Sequence, residues 1–229
     1  MSLKPFNSIG IGVAFSPNLK ANLFEAARLA IFFDSKLFLI HVGEFSEDKT
    51  KALKIILASF KKDDLNYEVI FESGNPVDVI LKATEEKKID LLILGAVQRE
   101  RFLKYYVGSI ARKITRKAKC SILLLIKPSV KRVPCQHIVV NGLKDPKTER
   151  TIASAFYVAK QLQAEIITVV EEIKQEEIKI KVDDDISLRR TNIIKERIKL
   201  RENSRIKDII GHIPKEYTEN IVIKTQPIF

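Results

Sequence analysis

Short runs of apolar residues alternate with amphipathic segments along the first 126 residues of the chain. Such runs, bounded by polar turns, are typical of strands that are buried on both faces. The segments between them carry apolar residues every three or four positions, as helices that pack one face against a sheet do. The pattern predicts strands at residues 8–15, 37–42, 67–72, 91–94 and 121–126. This alternation predicts a doubly wound α/β fold with a parallel sheet, because right-handed crossovers place helices on both faces.

The same pattern begins again after a basic segment that two prolines interrupt. It predicts strands at residues 137–141, 165–170 and 221–224, a helix at 151–162, and one long or two shorter helices within 186–213. Gln226 and Pro227 correspond to Asn75 and Pro76, which precede a helix in the first half. A pattern that restarts in this way indicates a tandem repeat.

We therefore predict a first domain at residues 1–127, a linker at 128–136, and an incomplete second repeat at 137–229 that lacks the last two strands. Residues 171–185 are highly charged and are predicted to form a mobile connection. The first strand of the second repeat would then lie at an open sheet edge. Two explanations of this open edge are left open. Either the chain is truncated, or the first half or a second copy of the chain covers the edge.

The residues best suited to bind a ligand lie between the fourth and fifth strands of the first half. Gly95 ends the fourth strand, and Gly108 with Ser109 begins the helix that leads to the fifth. Glycine at such positions lets an anion approach backbone N–H groups and the positive end of the helix dipole. This stretch is therefore predicted to be an anion-binding loop.

The spacing of Gly95, Gln98, Gly108 and Ser109 resembles the G-x2-G-x9-G-[ST] nucleotide loop of the universal stress protein family, with Gln98 in place of the second glycine. Further points of resemblance are Gly74-Asn75-Pro76, Asp90 and Ala118-x-Cys120. The resemblance implies a five-stranded sheet in the order 3-2-1-4-5 in the first half and a second, partial repeat of the same fold. It also implies a cytoplasmic stress-response protein that forms dimers, through residues 121–126, and binds partners.

The resemblance implies a nucleotide site at Gly95, Gln98, Gly108, Ser109, Val42, Asn75 and Arg99. Arg99 is expected to supply charge to the phosphates. Two residues depart from the family pattern and weigh against ATP. Ala14 stands where the family has an aspartate, and a methyl group cannot accept a hydrogen bond. A side chain at Gln98 costs about 1 kcal/mol if the loop needs a positive φ there.

The net charge of +11 is concentrated in residues 99–132, which contain eleven Lys or Arg residues and one acid, Glu100. One interpretation is a solvated helix face, because Arg112, Lys113, Arg116 and Lys117 lie opposite Ile110, Ile114 and Ala118. The other is a surface for an anionic partner such as nucleic acid. The segment has few aromatic residues and matches no nucleic-acid module, so nucleic acid is not the expected partner.

The sequence offers no catalytic motif and no metal-ligand spacing, so neither an enzyme nor a metal cofactor is predicted. The adjacent acids at positions 183, 184 and 185 are interpreted as a solvated run, and His41 as a packing residue. Cys120 and Cys135 are expected to be reduced. No apolar run approaches the roughly 20 residues of a membrane span, and no signal peptide is evident.

Three functions follow in order of preference. The first is a non-enzymatic stress-response regulator that acts through dimerisation and partner binding, with a degenerate nucleotide loop. The second is an ATP-binding switch or slow ATPase that uses the loop from Gly95 to Ser109. The third is nucleic-acid binding by the basic segment at residues 99–132.

Overall fold

The computed structural model describes residues 3–95, 97–98, 105–106, 108–172 and 185–228 of the 229-residue chain. The chain divides into two compact units. One unit is Lys4–Val133, and the other consists of Met1–Leu3 and Pro134–Phe229. We call them the first unit and the second unit, in the order of their main segments along the chain.

The first unit is a parallel sheet with helices between its strands. Its strands are β1 (Ser8–Val13), β2 (Lys36–Val42), β3 (Tyr67–Glu72), β4 (Leu91–Gly95) and β7 (Ser121–Leu125), and the short strands β5 (Val97–Gln98) and β6 (Tyr105–Tyr106) form a separate antiparallel pair. Its helices are α1 (Leu19–Phe32), α2 (Glu47–Leu57), α3 (Pro76–Glu86) and α4 (Ser109–Lys117), with a 3-10 helix at Ala58–Asp63. The main sheet has the order β3-β2-β1-β4-β7 with parallel pairing throughout, which confirms the predicted order.

The apolar runs of the sequence form the core of the first unit. The side chains of Ile9, Leu39 and Leu92 are fully buried at the centre of the sheet, in β1, β2 and β4. Such runs have apolar residues at every position because both faces of a central parallel strand are covered. The core therefore fixes the three strands whose ends carry the candidate site.

Helix α4 differs in one respect from the prediction. Ala111 and Ile114 are the buried residues of this helix, whereas Ile110 is 45% exposed. Ala118 follows the last turn as the C-terminal cap and is only partly buried. The predicted apolar face of Ile110, Ile114 and Ala118 is thus wrong at Ile110. Residues three apart share a helix face as residues four apart do, and here the pair Ala111 and Ile114 is the buried one.

The second unit contains a smaller parallel sheet. Its elements are β8 (His137–Asn141), α5 (Thr148–Leu162), β9 (Ile166–Glu172), α6 (Asp185–Gly211), α7 (Lys215–Thr218) and β10 (Val222–Ile228). The strand order is β10-β9-β8, and both strand pairs are parallel. The sheet repeats the first three strands of the first unit, and β8 lies at its end.

Two predictions for the second unit are corrected. Glu171 and Glu172 belong to strand β9 and pair with Pro227 and Ile228, so the predicted connection does not begin at Glu171. The residues 173–184 of that connection, and with them Asp183 and Asp184, lie outside the described residues. Pro227 lies within β10, whereas Pro76 begins a helix after β3.

The segment after β7 is held against α1. The guanidinium group of Arg28 donates hydrogen bonds to the backbone carbonyls of Ser129, at 3.0 Å, and Val130. The carboxylate of Glu25 accepts a hydrogen bond from the N–H of Ser129 at 3.1 Å. These bonds continue the first unit past residue 127, the predicted end of the first domain. None of the helices among the described residues is long and apolar enough to span a membrane.

Candidate ligand-binding cleft

The candidate site is a cleft at the carboxyl ends of β1 and β4. Strand β1 pairs with β2 on one side and with β4 on the other, so the chain leaves the sheet in opposite directions at this point. Diverging connections of this kind open a crevice where ligands bind in open α/β sheets. The cleft has a volume of about 940 Å³.

Three glycines border the cleft and allow the backbone to be approached. Gly12 lies near the end of β1, Gly95 ends β4, and Gly108 precedes α4. A Cβ atom on Gly95 would lie 3.0 Å from Nδ2 of Asn22, closer than most such contacts. Glycine at position 95 therefore leaves room for the side chain of Asn22, which a larger residue at this position would displace.

The start of α4 forms one wall of the cleft. Gly108 is its N-cap and has no side chain to accept a hydrogen bond from the first turn, and that turn contains no acidic residue. The first N–H groups of a helix have no acceptor within the helix, and the helix dipole places partial positive charge there. Ser109 adds a hydroxyl group at the first helical position. This wall can bind an anion.

The remaining walls are mostly apolar and carry neutral polar groups. The lining includes Val13, Ile40, Val42, Pro76, Ile80, Leu94 and Ile110 together with Ser16, Asn18, Asn22 and His41. No Lys, Arg, Asp or Glu side chain belongs to the described lining. Among the lining residues the start of α4 supplies positive potential, and Lys49 adds charge behind the lining with its Nζ 3.0 Å from Nε2 of His41.

The structure brings together four of the predicted site residues: Gly95, Gly108, Ser109 and Val42 all line the cleft. Asn75 is not among the described lining residues; its side-chain oxygen accepts a hydrogen bond from the N–H of Val77 at 2.9 Å and caps α3, and its contact with a ligand stays a prediction. The backbone of Gln98 belongs to β5, whereas its side chain and the whole of Arg99 lie outside the described residues. The effects predicted for Gln98 and Arg99 stay predictions.

Ala14 lines the cleft directly after β1 and is exposed, so no side-chain acceptor stands at this position. The next residue, Phe15, is 42% exposed, and its ring lies edge-on to the imidazole of His41 with ring centroids 5.1 Å apart. At this end of the cleft the ring of Phe15 thus lies next to Ala14, where the family resemblance implies a side-chain hydrogen-bond acceptor.

His41 is buried, and both of its ring nitrogens have partners. Nδ1 lies 3.0 Å from the carbonyl oxygen of Val13, and Nε2 lies 3.0 Å from Nζ of Lys49. A lysine ammonium group can only donate, so Nε2 accepts and the Nδ1–H group donates to Val13. These contacts agree with the interpretation of His41 as a packing residue, although its ring also contributes to the lining.

Asn22 is a lining residue that the sequence analysis missed. It lies in the first turns of α1, and its Oδ1 atom is buried without a hydrogen-bond partner. The signal for it was present in the sequence. Asn22 is four residues before Ala26, on the stripe of α1 that also contains Leu23 and Ala30, and an amide on such a stripe requires a polar partner.

A metal centre finds no support in the described parts of the chain, where no group of three or more His, Cys, Asp or Glu side chains is placed to hold an ion. Cys120 and Cys135 are free thiols. Burial raises the pKa of both, which disfavours the thiolate form that binds metals.

Comparison with known proteins shows a similarity of the first unit to one family. The model of the universal stress protein family matches residues 44–125. A universal stress protein from Methanocaldococcus jannaschii is 23% identical over 123 residues, which cover 45% of this chain and 72% of that protein. One from Helicobacter pylori is 28% identical over 109 residues, which cover 45% of this chain and 78% of that protein.

Solved structures share the fold along nearly the whole chain. A universal stress protein from Archaeoglobus fulgidus superposes with a TM-score of 0.66 at 16% identity, over 96% of this chain and 77% of that one. A functionally unknown protein from Pseudomonas aeruginosa PAO1 gives 0.67 at 16% identity, over 98% of this chain and 75% of that one. At these identities the likeness is one of fold.

Proposed function

We propose that this universal-stress-protein-like chain is a non-enzymatic regulatory protein that binds a phosphate-bearing nucleotide, with ATP as the first candidate, in the cleft of its first unit. The proposal rests on the cleft and not on the family name, because one fold can host unrelated functions.

The observation that carries the proposal is the uncapped start of α4 at the mouth of the cleft. Gly108 and Ser109 offer backbone N–H groups and a hydroxyl to an anion, and Gly95 faces them from the end of β4. The volume of about 940 Å³ lies within the range of small-molecule sites, roughly 300–1,000 Å³. The apolar walls suit a base or another flat ring. A phosphate group at α4 and a ring between these walls therefore fit the cleft together.

The test is calorimetric titration of Mg-ATP into the full chain and into two variants of Ser109. Ser109→Glu places a carboxylate at the start of α4, where it stabilises the helix and repels a phosphate. We expect saturable heat at sub-millimolar ATP for the unsubstituted chain and an affinity at least about tenfold weaker for Ser109→Glu.

Ser109→Gln is the matched neutral control and should change the affinity by less than about threefold, a difference below 1 kcal/mol. The melting temperature of both variants should equal or exceed that of the unsubstituted chain, since Ser109 is exposed at the helix start. Absence of saturable heat for the unsubstituted chain would contradict the proposal.

A second candidate function, dimerisation, is favoured by strand β7. This strand is an edge of the main sheet, and its residues Ile122, Leu123, Leu124 and Leu125 are only half-buried. Ile126, directly after it, is 55% exposed. Apolar edge strands tend to pair with a second strand. We expect sedimentation to show a dimer that Leu123→Lys converts to a monomer.

Ile55→Lys serves as the control for that experiment, because Ile55 is an apolar residue 74% exposed on α2, away from the edge. It should leave the sedimentation coefficient unchanged. A chain that is monomeric at all concentrations, or a Leu123→Lys variant that stays dimeric, would remove β7 as the dimer contact.

A further inference from the structure

Among the described residues of the cleft, one buried side-chain polar atom lacks a hydrogen-bond partner. Oδ1 of Asn22 is buried and accepts no hydrogen bond, although Asn22 lines the cleft beside Gly95. Buried carbonyl oxygens in folded proteins nearly always have a donor, because burial removes the hydrogen bonds that water would make. Asn22 lines the cleft, so a rotation of its carboxamide brings this shielded oxygen to a hydrogen-bond donor on a ligand.

The surroundings of Asn22 strengthen this argument. Ala14, at the end of β1, presents a methyl group to the same cleft, so it cannot accept a hydrogen bond. His41 uses both ring nitrogens within the protein, on Val13 and Lys49. The carboxamide of Asn22 thus offers an acceptor that neither of these lining residues provides.

We infer that Asn22 selects the ligand of the cleft by accepting a hydrogen bond from a hydroxyl or amino group, an inference that rests on the nucleotide-binding function proposed above. On a nucleotide that donor is a sugar hydroxyl or an exocyclic amino group of the base. Asn22 is neutral, so it makes this contact without repelling the phosphates as a carboxylate would. The α4 wall binds the phosphate, and Asn22 accepts a hydrogen bond from another group of the same ligand.

The first experiment uses the chain without any nucleotide. Asn22→Leu replaces the carboxamide by an apolar group of the same branching, so the unpartnered oxygen disappears. We expect Asn22→Leu to melt at a higher temperature than the unsubstituted chain, because residues kept for binding cost stability in the free protein. Asn66→Leu, at an exposed position, is the matched control and should leave the melting temperature unchanged. A lower melting temperature for Asn22→Leu would assign Asn22 to the packing of α1 and overturn the inference.

The second experiment compares ligands. The chain and its Asn22→Ala variant are titrated with ATP, 2′-deoxy-ATP, 3′-deoxy-ATP and ITP, each of which lacks a different donor or none. We expect Asn22→Ala to weaken ATP binding about tenfold, the usual effect of one lost hydrogen bond. The same substitution should have no effect on the one analogue that lacks the donor, and that analogue identifies sugar or base as the contact.

The outcomes separate the two proposals. Equal binding of all four nucleotides by the chain and by Asn22→Ala would overturn the role of Asn22 and leave nucleotide binding in place. Failure of the unsubstituted chain to bind any of them would overturn both. A loss of ATP binding in Asn22→Ala that is the same for every analogue would show a general disturbance of the cleft and would also overturn the inference.

Discussion

Glu171 illustrates what burial does to one carboxyl group in the second unit. It is 2% exposed, and neither of its carboxylate oxygens has a hydrogen-bond partner among the described residues. Burial raises its pKa, the nearby charge of Glu202 raises it further, and Arg205 opposes both. Arg205 is itself committed to Glu202, which accepts from its Nε at 2.7 Å, and to the carbonyl of Gly142. Ionisation of Glu171 in the folded chain therefore lowers the free energy of unfolding.

The raised pKa of Glu171 predicts how the stability of the second unit depends on pH. The pKa of Glu171 is higher in the folded than in the unfolded chain, so the unfolded chain loses its proton first as the pH rises. Stability attributable to this group is then present below the unfolded pKa and falls as the pH rises through the folded value. We expect Glu171→Gln to raise the free energy of unfolding of the second unit at pH 8 by about 1 kcal/mol.

Urea unfolding of the variant at pH 4, 6 and 8 checks this prediction, and the gain should shrink toward pH 4. Glu165→Gln is the matched control, because Glu165 is exposed directly before β9. A gain that is the same at all three pH values would point to packing and away from the charge.

Helix α3 gives a structural role to Asn75, which the family resemblance placed at the nucleotide site. Asn75 caps α3 through the N–H of Val77, and Pro76 occupies the first helical position, where its missing N–H costs nothing. Asn75→Ala should therefore lower the free energy of unfolding of the first unit by about 1 kcal/mol. ATP affinity should change less than twofold, since the carboxamide faces the helix.

Chemical denaturation and calorimetry of Asn75→Ala test the two parts separately. Asn75→Asp is the control that keeps a capping oxygen, and it should retain the stability of the unsubstituted chain. A tenfold loss of ATP affinity with unchanged stability would restore Asn75 to the ligand site.

The elements of the first unit could largely be predicted because their signals are local. A run such as residues 91–94 is apolar at every position only in a strand covered on both faces, and β4 lies there. The family resemblance supplied the strand order, which periodicity cannot provide. Ile110 was misassigned because the helical period fixes the spacing of buried residues but not which of them meets the sheet.

The site could be predicted less completely than the fold. The glycines and Ser109 follow from spacing along one stretch, so the sequence pointed to them directly. Asn22 reaches the cleft from a helix more than 70 positions away from Gly95, and only the folded chain brings the two together. Asn75 was assigned to the ligand by the family resemblance alone, and the structure shows its role as a helix cap.

On the scale of the whole molecule, the division into two units makes a prediction about fragments. Every residue of the described lining lies between Gly12 and Ile114, within Lys4–Val133. A fragment of residues 4–133 should therefore bind ATP with the affinity of the full chain. A fragment that ends at residue 127 loses the bonds from Arg28 and Glu25 to the segment after β7. It should be less stable by about 1–2 kcal/mol.

Denaturant unfolding of the two fragments, side by side with calorimetry, measures both effects. The control is Arg28→Lys in the longer fragment, which removes the forked donor while keeping the charge. Its stability should fall between the stabilities of the two unsubstituted fragments. Equal stability of the two fragments would place the boundary of the folding unit before Ser129.

The position of β8 at the end of its sheet has a consequence for titrations. A crevice of the kind described for β1 needs a strand with neighbours on both sides, and β8 pairs with β9 alone in the described part of the second unit. The second unit therefore has no equivalent crevice at the end of β8 in its described part. Calorimetry should return a stoichiometry of one nucleotide per chain and a hyperbolic saturation curve. If the curve is sigmoidal, the cooperativity must arise between chains, and its Hill coefficient will then depend on protein concentration.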